Sequence, residues 1–260
     1  MKLRARVVLL EDKAKRAMIG AAAKLGIKKY KRLAEGLSAN MTNDRATNRF
    51  IREYGIAEEE AVRRWMEGGI GRSYLDIGAG SGRFSKMALE SGAKTVTAID
   101  INEDCLAELG RMQGVNAIEM DARNLQFDDN SIDRVMILGN TLAGMYESLP
   151  GEEWGFQIEV LKEMVRVARE EVAITLQRPE SLGLMLQYYR MNGLELYDYD
   201  DKKGIKRIRM RKPAGTIEYR SQHFEKEDIE RLLEEAGIDK NKYEIEAVNR
   251  MNWIVTIRKN

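Results

Sequence analysis

The chain has 260 residues, with Lys+Arg 43 against Asp+Glu 42 and a formal net charge of +1, so no global field draws it to nucleic acid or to a membrane surface. One cysteine, Cys105, and one histidine exclude an internal disulfide and argue against a protein zinc site, leaving carboxylates as the only ligand set for a divalent metal. Hydrophobic residues at 43% and charged ones at 33% suit a globular fold with a full core and a charged surface; no stretch reaches the ~20 apolar residues of a membrane helix, so the expected location is cytoplasmic.

From Lys13 to about Gly68 the pattern is helical and rich in Ala, Lys, Arg and Glu, which predicts an N-terminal helical cap over residues 1–70. After GlyGlyIleGly at 68–71 short β-branched runs alternate with amphipathic segments, the signal of a parallel sheet with crossover helices. Strands are predicted at 73–77, 95–100, 116–120, 134–139 and 171–176. Phe84, Met87 and Ala88 share one helical face, as do Ile158, Leu161, Val165 and Ala168. Residues 204–224 read as an inserted β-hairpin turned by LysProAlaGly, with Pro213 and Gly215 as breakers. Ile229, Leu232, Leu233 and Ala236 then make a helical stripe closed by Gly237, and YEIEAVNR with NWIVTIRK gives an antiparallel strand pair at the sheet edge.

The stretch YLDIGAGSGRFS, residues 74–85, carries the chemistry. Glycine tolerates positive φ and leaves nothing between backbone and ligand, so glycines between a strand and a helix let a small polar ligand approach the helix start. A dinucleotide fingerprint requires Gly-x-Gly-x-x-Gly, and here Arg83 stands at the third glycine. The Lys-Ser/Thr ending of a triphosphate-binding loop is also missing. What remains is Asp76 followed by Gly78, Gly80 and Gly82, which suits a nucleoside without phosphates.

That segment resembles the first motif of class I S-adenosylmethionine-dependent methyltransferases, and other segments follow in the family's order. VTAIDIN is similar to the second motif, whose acid at the strand end holds the ribose hydroxyls; carried over, it is Asp100, with Ile101 beside it. IEMDARNLQFDDNSIDRVMILGNTLAG resembles the third and fourth motifs, which puts Asp121 and Ala122 at the adenine edge, although Gln126 stands where family members often have proline. The resemblance runs from about Tyr74 to Asn260. It implies a Rossmann-like α/β fold, a seven-stranded mostly parallel sheet with an antiparallel last strand, an N-terminal helical lid and S-adenosylmethionine as cofactor. The cofactor would be held by Asp76, Gly78, Ala79, Gly80, Gly82, Asp100, Ile101, Asp121, Ala122 and Asn140. For Asp76 two readings stand, contact with the cofactor's ammonium or bracing of the glycine turn.

A sulfonium is an activated methyl donor, so the protein mainly aligns an acceptor and excludes water. Asn140, in GlyAsn at the end of the fourth motif, resembles the substrate-contacting Asn of small-molecule methyltransferases of the glycine N-methyltransferase kind; a turn-forming asparagine is the other reading. Its candidate roles are catalytic and acceptor-binding. His223 has the one side chain whose unperturbed pKa is near neutrality and is the candidate base, against a structural histidine beside an edge strand. Tyr146 is the candidate wall of the acceptor pocket, Tyr188 and Tyr189 fit core packing better, and Tyr30 and Arg45 are placed in the lid. The basic run at 202–212 fits a solvated hairpin better than an RNA surface, because AspTyrAspAsp at 198–201 adjoins it and the Asp/Asn-Pro-Pro-Tyr/Phe motif of base methylation is missing. The expected partner is a small-molecule acceptor, with neither nucleic acid nor membrane; the sequence leaves the oligomeric state open.

Overall fold

Runs such as SYLDI and TVTAID are short, β-branched and bounded by glycine or polar turns, so they pair as strands while the intervening stripes cover them as helices. The computed structural model describes residues 49–144, 154–191, 193–212, 215–248 and 250–259. Helix α1 spans Arg49–Glu67, followed by β1 (Ser73–Ile77), α2 (Arg83–Glu90), β2 (Thr95–Asp100), α3 (Glu103–Leu109), β3 (Val115–Glu119), β4 (Ile132–Ile137), the short α4 (Thr141–Gly144), α5 (Gly155–Val167) and β5 (Ala168–Gln177). Then come α6 (Leu182–Met191), β6 (Leu194–Asp200), β7 (Ile205–Lys212), β8 (Gly215–Gln222), α7 (Lys226–Glu235), β9 (Tyr243–Ala247) and β10 (Asn252–Arg258).

Seven strands form one sheet in the order β3-β2-β1-β4-β5-β10-β9. The first five are mutually parallel, and β10 runs antiparallel to both β5 and β9. The fold class expected from sequence is therefore the fold observed. Alternation along the strands divides the core into two layers. Leu75, Ile77, Val135, Ile137, Val172, Ile174, Val255 and Ile257 face α5 and α7, joined by Leu161, Met164, Leu232 and Leu233. Tyr74, Val96, Met136, Leu138, Ala173 and Ile254 face α1 and α2, joined by Ala61, Val62, Met66, Phe84, Met87 and Ala88. The C-terminal part of α1 thus packs as a layer of the core through Ala61, Val62 and Met66.

Other details depart from the pattern-based reading. β3 begins one residue earlier than predicted, and β4 ends at Ile137 because Gly139 and Asn140 both take positive φ, 69° and 62°. Val160, Leu161, Met164 and Val167 form the buried stripe of α5, whereas Ala168 already opens β5; Ile158 and Val165 pack at its margin. The hairpin expected at 204–224 is two strands of a three-stranded sheet, β6-β7-β8, with Lys212 paired to Gly215. β6 was hidden because its Leu194 and Leu196 are interleaved with acids; those leucines are buried with Tyr188, Tyr189, Leu186, Ile208 and Met210. Tyr30, Arg45, Tyr146 and the turn residues Pro213 and Ala214 lie outside the described residues, as does most of the lid segment from Leu33 to Arg52.

Leu161 is fully buried where α5 covers β4 and β5. Leu161→Ala is expected to lower unfolding stability by about 2–5 kcal/mol, read from urea denaturation.

Candidate functional site

Open α/β sheets bind ligands at the carboxyl edge of the strands, where the strand order reverses. That reversal lies between β1 and β4. The turn after β1 holds Gly78, Gly80 and Gly82 at φ of 62°, 55° and 79°. A Cβ on Gly80 would meet nothing within 4 Å, so this stretch of backbone faces open space. Gly82 differs: a Cβ there would come within 2.7 Å of Met112 Cε and 2.9 Å of Leu109 Cδ2, so it lets α2 approach the segment after α3. Ala79 N donates to Ile99 O at 3.1 Å, tying the turn to β2.

Asp76 is buried on the β1 face toward α2, and Ser85 Oγ donates to its Oδ2 at 2.6 Å. This bond ties the end of β1 to α2. Burial pushes its pKa up to about 7, with Ser85 and Arg83 opposing the shift. At the end of β2, Asp100 Oδ2 accepts from Gly80 N at 2.9 Å while Oδ1 accepts from Asn102 N at 2.9 Å. Each carboxylate oxygen keeps a lone pair beyond those bonds. Ile101 next to it is 75% exposed, a large apolar side chain standing free at the same edge.

Past β3, Asp121 is exposed, and Arg123 donates to its carboxylate through Nε and Nη2 at 3.0 and 2.7 Å. The hydrogen bonds from Arg123 hold Asp121 below the usual carboxylate range. Ala122 turns its methyl into the core. After β4, Asn140 is buried and its amide is engaged on both sides. Oδ1 accepts from Gln177 N at 2.9 Å, and Nδ2 lies 3.2 Å from Ser221 Oγ and 3.4 Å from Gln222 O. Asn140 therefore clamps the end of β5 to the end of β8 while its backbone takes a left-handed conformation. His223 is buried, with Tyr199 Oη 3.3 Å from its Nε2. Burial and the neighbouring Lys206 push its pKa down to about 3, away from the range of a neutral-pH base. Tyr188 and Tyr189 belong to the packing of the three-stranded sheet.

The topology thus brings Asp76, the glycine turn, Asp100, Asp121 and Gly139–Asn140 to one edge of four adjacent strands. Sequence reasoning missed the residue that ties this edge to α1. Glu58 is wholly buried. Its Oε2 accepts from Arg83 Nη2 at 2.6 Å, and its Oε1 accepts from Thr175 Oγ1 at 2.6 Å and Gly139 N at 3.1 Å. In the run AEEEA three glutamates look alike; only tertiary contact separates Glu58 from its neighbours. The basic run on β7 is matched across the ladder: Glu195 takes Arg209 at 2.9 and 3.0 Å, and Asp198 takes Arg207. Among the described residues no cluster of His, Cys, Asp and Glu is suited to a metal ion, and no helix is long and apolar enough to cross a membrane.

Residues 75–171 match a family described as a methyltransferase domain. None of the curated proteins matches the chain. A protein from Pyrococcus horikoshii OT3 is 19% identical, with a TM-score of 0.60 over 82% of this chain and 93% of that one. An S-adenosylmethionine-dependent methyltransferase from Clostridium acetobutylicum ATCC 824 is 14% identical, with a TM-score of 0.53 over 78% and 91%. The magnesium protoporphyrin IX methyltransferase of Synechocystis PCC 6803, with bound S-adenosylhomocysteine, is 15% identical, with a TM-score of 0.53 over 91% and 94%. The chain has the class I methyltransferase fold. The segment that matches the methyltransferase-domain family, residues 75–171, is the one that supplies the glycine turn, Asp100, Asp121 and Asn140.

Two expectations follow. Glu58→Ala removes the nearer of the two carboxylates on Arg83, leaving Glu59 at 3.7 Å, and strips Thr175 and Gly139 of a buried acceptor; it should cost on the order of 3 kcal/mol in urea denaturation. Asp76 has a folded pKa above its unfolded one, so its contribution is fully present below about pH 4 and is lost as pH rises through about 7. Asp76→Asn, which keeps an acceptor for Ser85, should show a shallower decline of stability between those values and exceed wild type at pH 8 in thermal melts.

Proposed function

We propose that the protein transfers a methyl group from S-adenosylmethionine to a small-molecule acceptor at nitrogen or oxygen. The observation that carries the donor half is the Gly80–Asp100 pairing. It places a carboxylate with unused lone pairs at the tip of β2, against a glycine turn that faces open space. The residues present fit the donor. Asp100 would hold the ribose hydroxyls, Ile101 would cover an adenine face, and the backbone of Asp121 and Ala122 would meet the adenine edge. Asp76 acts by bracing the turn through Ser85. S-adenosylmethionine supplies an activated methyl on a sulfonium, and the protein's task is to align the acceptor and keep out water.

Two features favour a small acceptor over a nucleic acid. Arg207 and Arg209 are each paired with a β6 acid, which reduces the field that this part of β7 offers to a phosphate backbone. The three-stranded sheet is also fastened to the carboxyl edge of β5 by Asn140, which encloses that side of the edge. For a hydroxyl or ammonium acceptor a proton must leave during transfer. His223, held neutral by burial, is a poor donor and a weak acceptor for it.

Calorimetry with S-adenosylhomocysteine is expected to show binding that Asp100→Ala weakens at least about tenfold, the scale of one or two charge-assisted hydrogen bonds. Mass spectrometry of reactions with the small-molecule fraction of a cell extract should reveal a species heavier by one methylene. Absence of heat would refute the donor assignment. Binding without product, or methyl incorporation into RNA or protein, would refute the acceptor assignment.

A further inference from the structure

The three-stranded sheet carries a polar row at the end nearest the catalytic edge. Tyr199 of β6 pairs with Lys206 of β7, and Lys206 pairs with Ser221 of β8. Farther along the same face Leu196, Ile208 and Met210 are apolar and buried with the tyrosines of α6. Lys206 is fully buried, and its Nζ donates to Gln177 Oε1 at 2.6 Å. Gln177 is the last residue of β5, and its N–H donates to Asn140 Oδ1 at 2.9 Å. Asn140 reaches Ser221 Oγ at 3.2 Å, and Ser221 is the cross-strand partner of Lys206. The four residues close a ring that joins the small sheet to the Gly139–Asn140 turn.

No ion pair reaches Lys206 among the described residues. An ammonium in that place would leave two N–H groups without acceptors and a buried charge without a counterion among the described residues, whereas a neutral amine carries no charge and leaves one N–H beyond its bond to Gln177. Burial accordingly pushes Lys206 down to about 7.

We propose that Lys206, as a neutral amine, is a positioning residue for the acceptor side: through Gln177 and Asn140 it locks the three-stranded sheet onto the Gly139–Asn140 turn, and protonation releases the sheet. The inference rests on the proposed function only in taking that turn as the border of the acceptor site.

The titratable groups facing the ring leave the window clear. From β6, Tyr199 is pushed up to about 12 by burial and by Asp201, Asp200 and Glu225. From the end of β8, His223 is pushed down to about 3, and its Nδ1 has no hydrogen-bond partner among the described residues. Glu225, at the start of α7, is raised by burial and by Glu180, Asp228 and Glu227. Gln177 and, from α6, Met185, 3.7 Å from Gln177 Nε2, carry no charge.

With the sheet released, Lys206 returns toward its ordinary pKa, so the open form binds a proton that the closed form does not. Closure therefore strengthens as pH rises from about 7 toward about 10 and is insensitive to this group below about 7. His223 adds a separate loss of closure as pH falls from 6.5 toward about 3.

The test is amide hydrogen exchange on the full chain, expressed as protection factors for β7, β8 and residues 139–141 between pH 7 and 10. Protection in the wild type is expected to rise by up to about tenfold per pH unit, while Lys206→Met is flat and Lys206→Arg stays at the low-pH level throughout. Near-ultraviolet circular dichroism checks that both variants fold, with Lys206→Gln as a further neutral replacement. Affinity for S-adenosylhomocysteine should be the same in all of them, since Lys206 is not one of the residues assigned to the donor. A wild type that shows no pH slope would overturn the proposal. So would a Lys206→Met protein whose protection falls evenly at every pH with the slope retained, because that marks a purely structural lysine. Failure of the donor reading shows separately, as a wild type that does not bind S-adenosylhomocysteine.

Discussion

The carboxylate of Glu58, buried between α1 and the ends of β4 and β5, uses both oxygens on groups from different parts of the chain. Arg83 belongs to the start of α2, Gly139 to the turn after β4 and Thr175 to β5. A buried charge persists only when paired and hydrogen-bonded, and here three donors meet it. Because the same contact fixes the first residue of α2 and the N–H of Gly139, the glycine turn and the Gly139–Asn140 turn are positioned relative to each other through one side chain. The edge needs such a fastening: its backbone turns through left-handed conformations at Gly78, Gly80, Gly82, Gly139 and Asn140, where regular pairing has ended.

Around that fastening the edge divides into a side of acids and a side of bases, each shaped by burial. Asp76 sits under the glycine turn with its proton affinity raised, and Lys206 sits under the small sheet with its proton affinity lowered. Desolvation disfavours the charged form in both cases, so near neutrality each group loses much of the charge it carries in water. Asp100 differs because its carboxylate is partly open and bonded to two backbone N–H groups, which suit an anion. A ligand reaching across this edge meets one well-served carboxylate at β2 and a largely uncharged polar network between β5 and β8.

Much of this was legible in the residues. Short β-branched runs located β1 and β2 to the residue, because glycine and polar turns bound them on both sides. The glycine spacing announced a turn of positive φ, and Asp100 stands at the tip of β2 where the pattern put it. What stayed hidden were contacts between segments far apart in the chain. Nothing in AEEEA distinguishes Glu58, and nothing in GIKRIRM distinguishes Lys206 from the exposed cations beside it. β6 escaped because three acids in seven residues mask its alternating leucines. Asn140 was recognised as important, yet whether its amide would meet a substrate or clamp two strands depended on Gln177 and Ser221, residues 37 and 81 positions away.

Strand β10 occupies an interior place in the sheet, lying between β5 and β9 and pairing along β5 from Asn252–Gln177 to Arg258–Glu171. During synthesis, therefore, β5 has no neighbour on that side until β10 has been made and can pair. A nascent chain long enough to have formed β1 to β5 presents an apolar, unpaired border to whatever else is near, a template for mispairing. Completion of the sheet is a long-range event that must wait for β10, and exposure to aggregation is set by that delay.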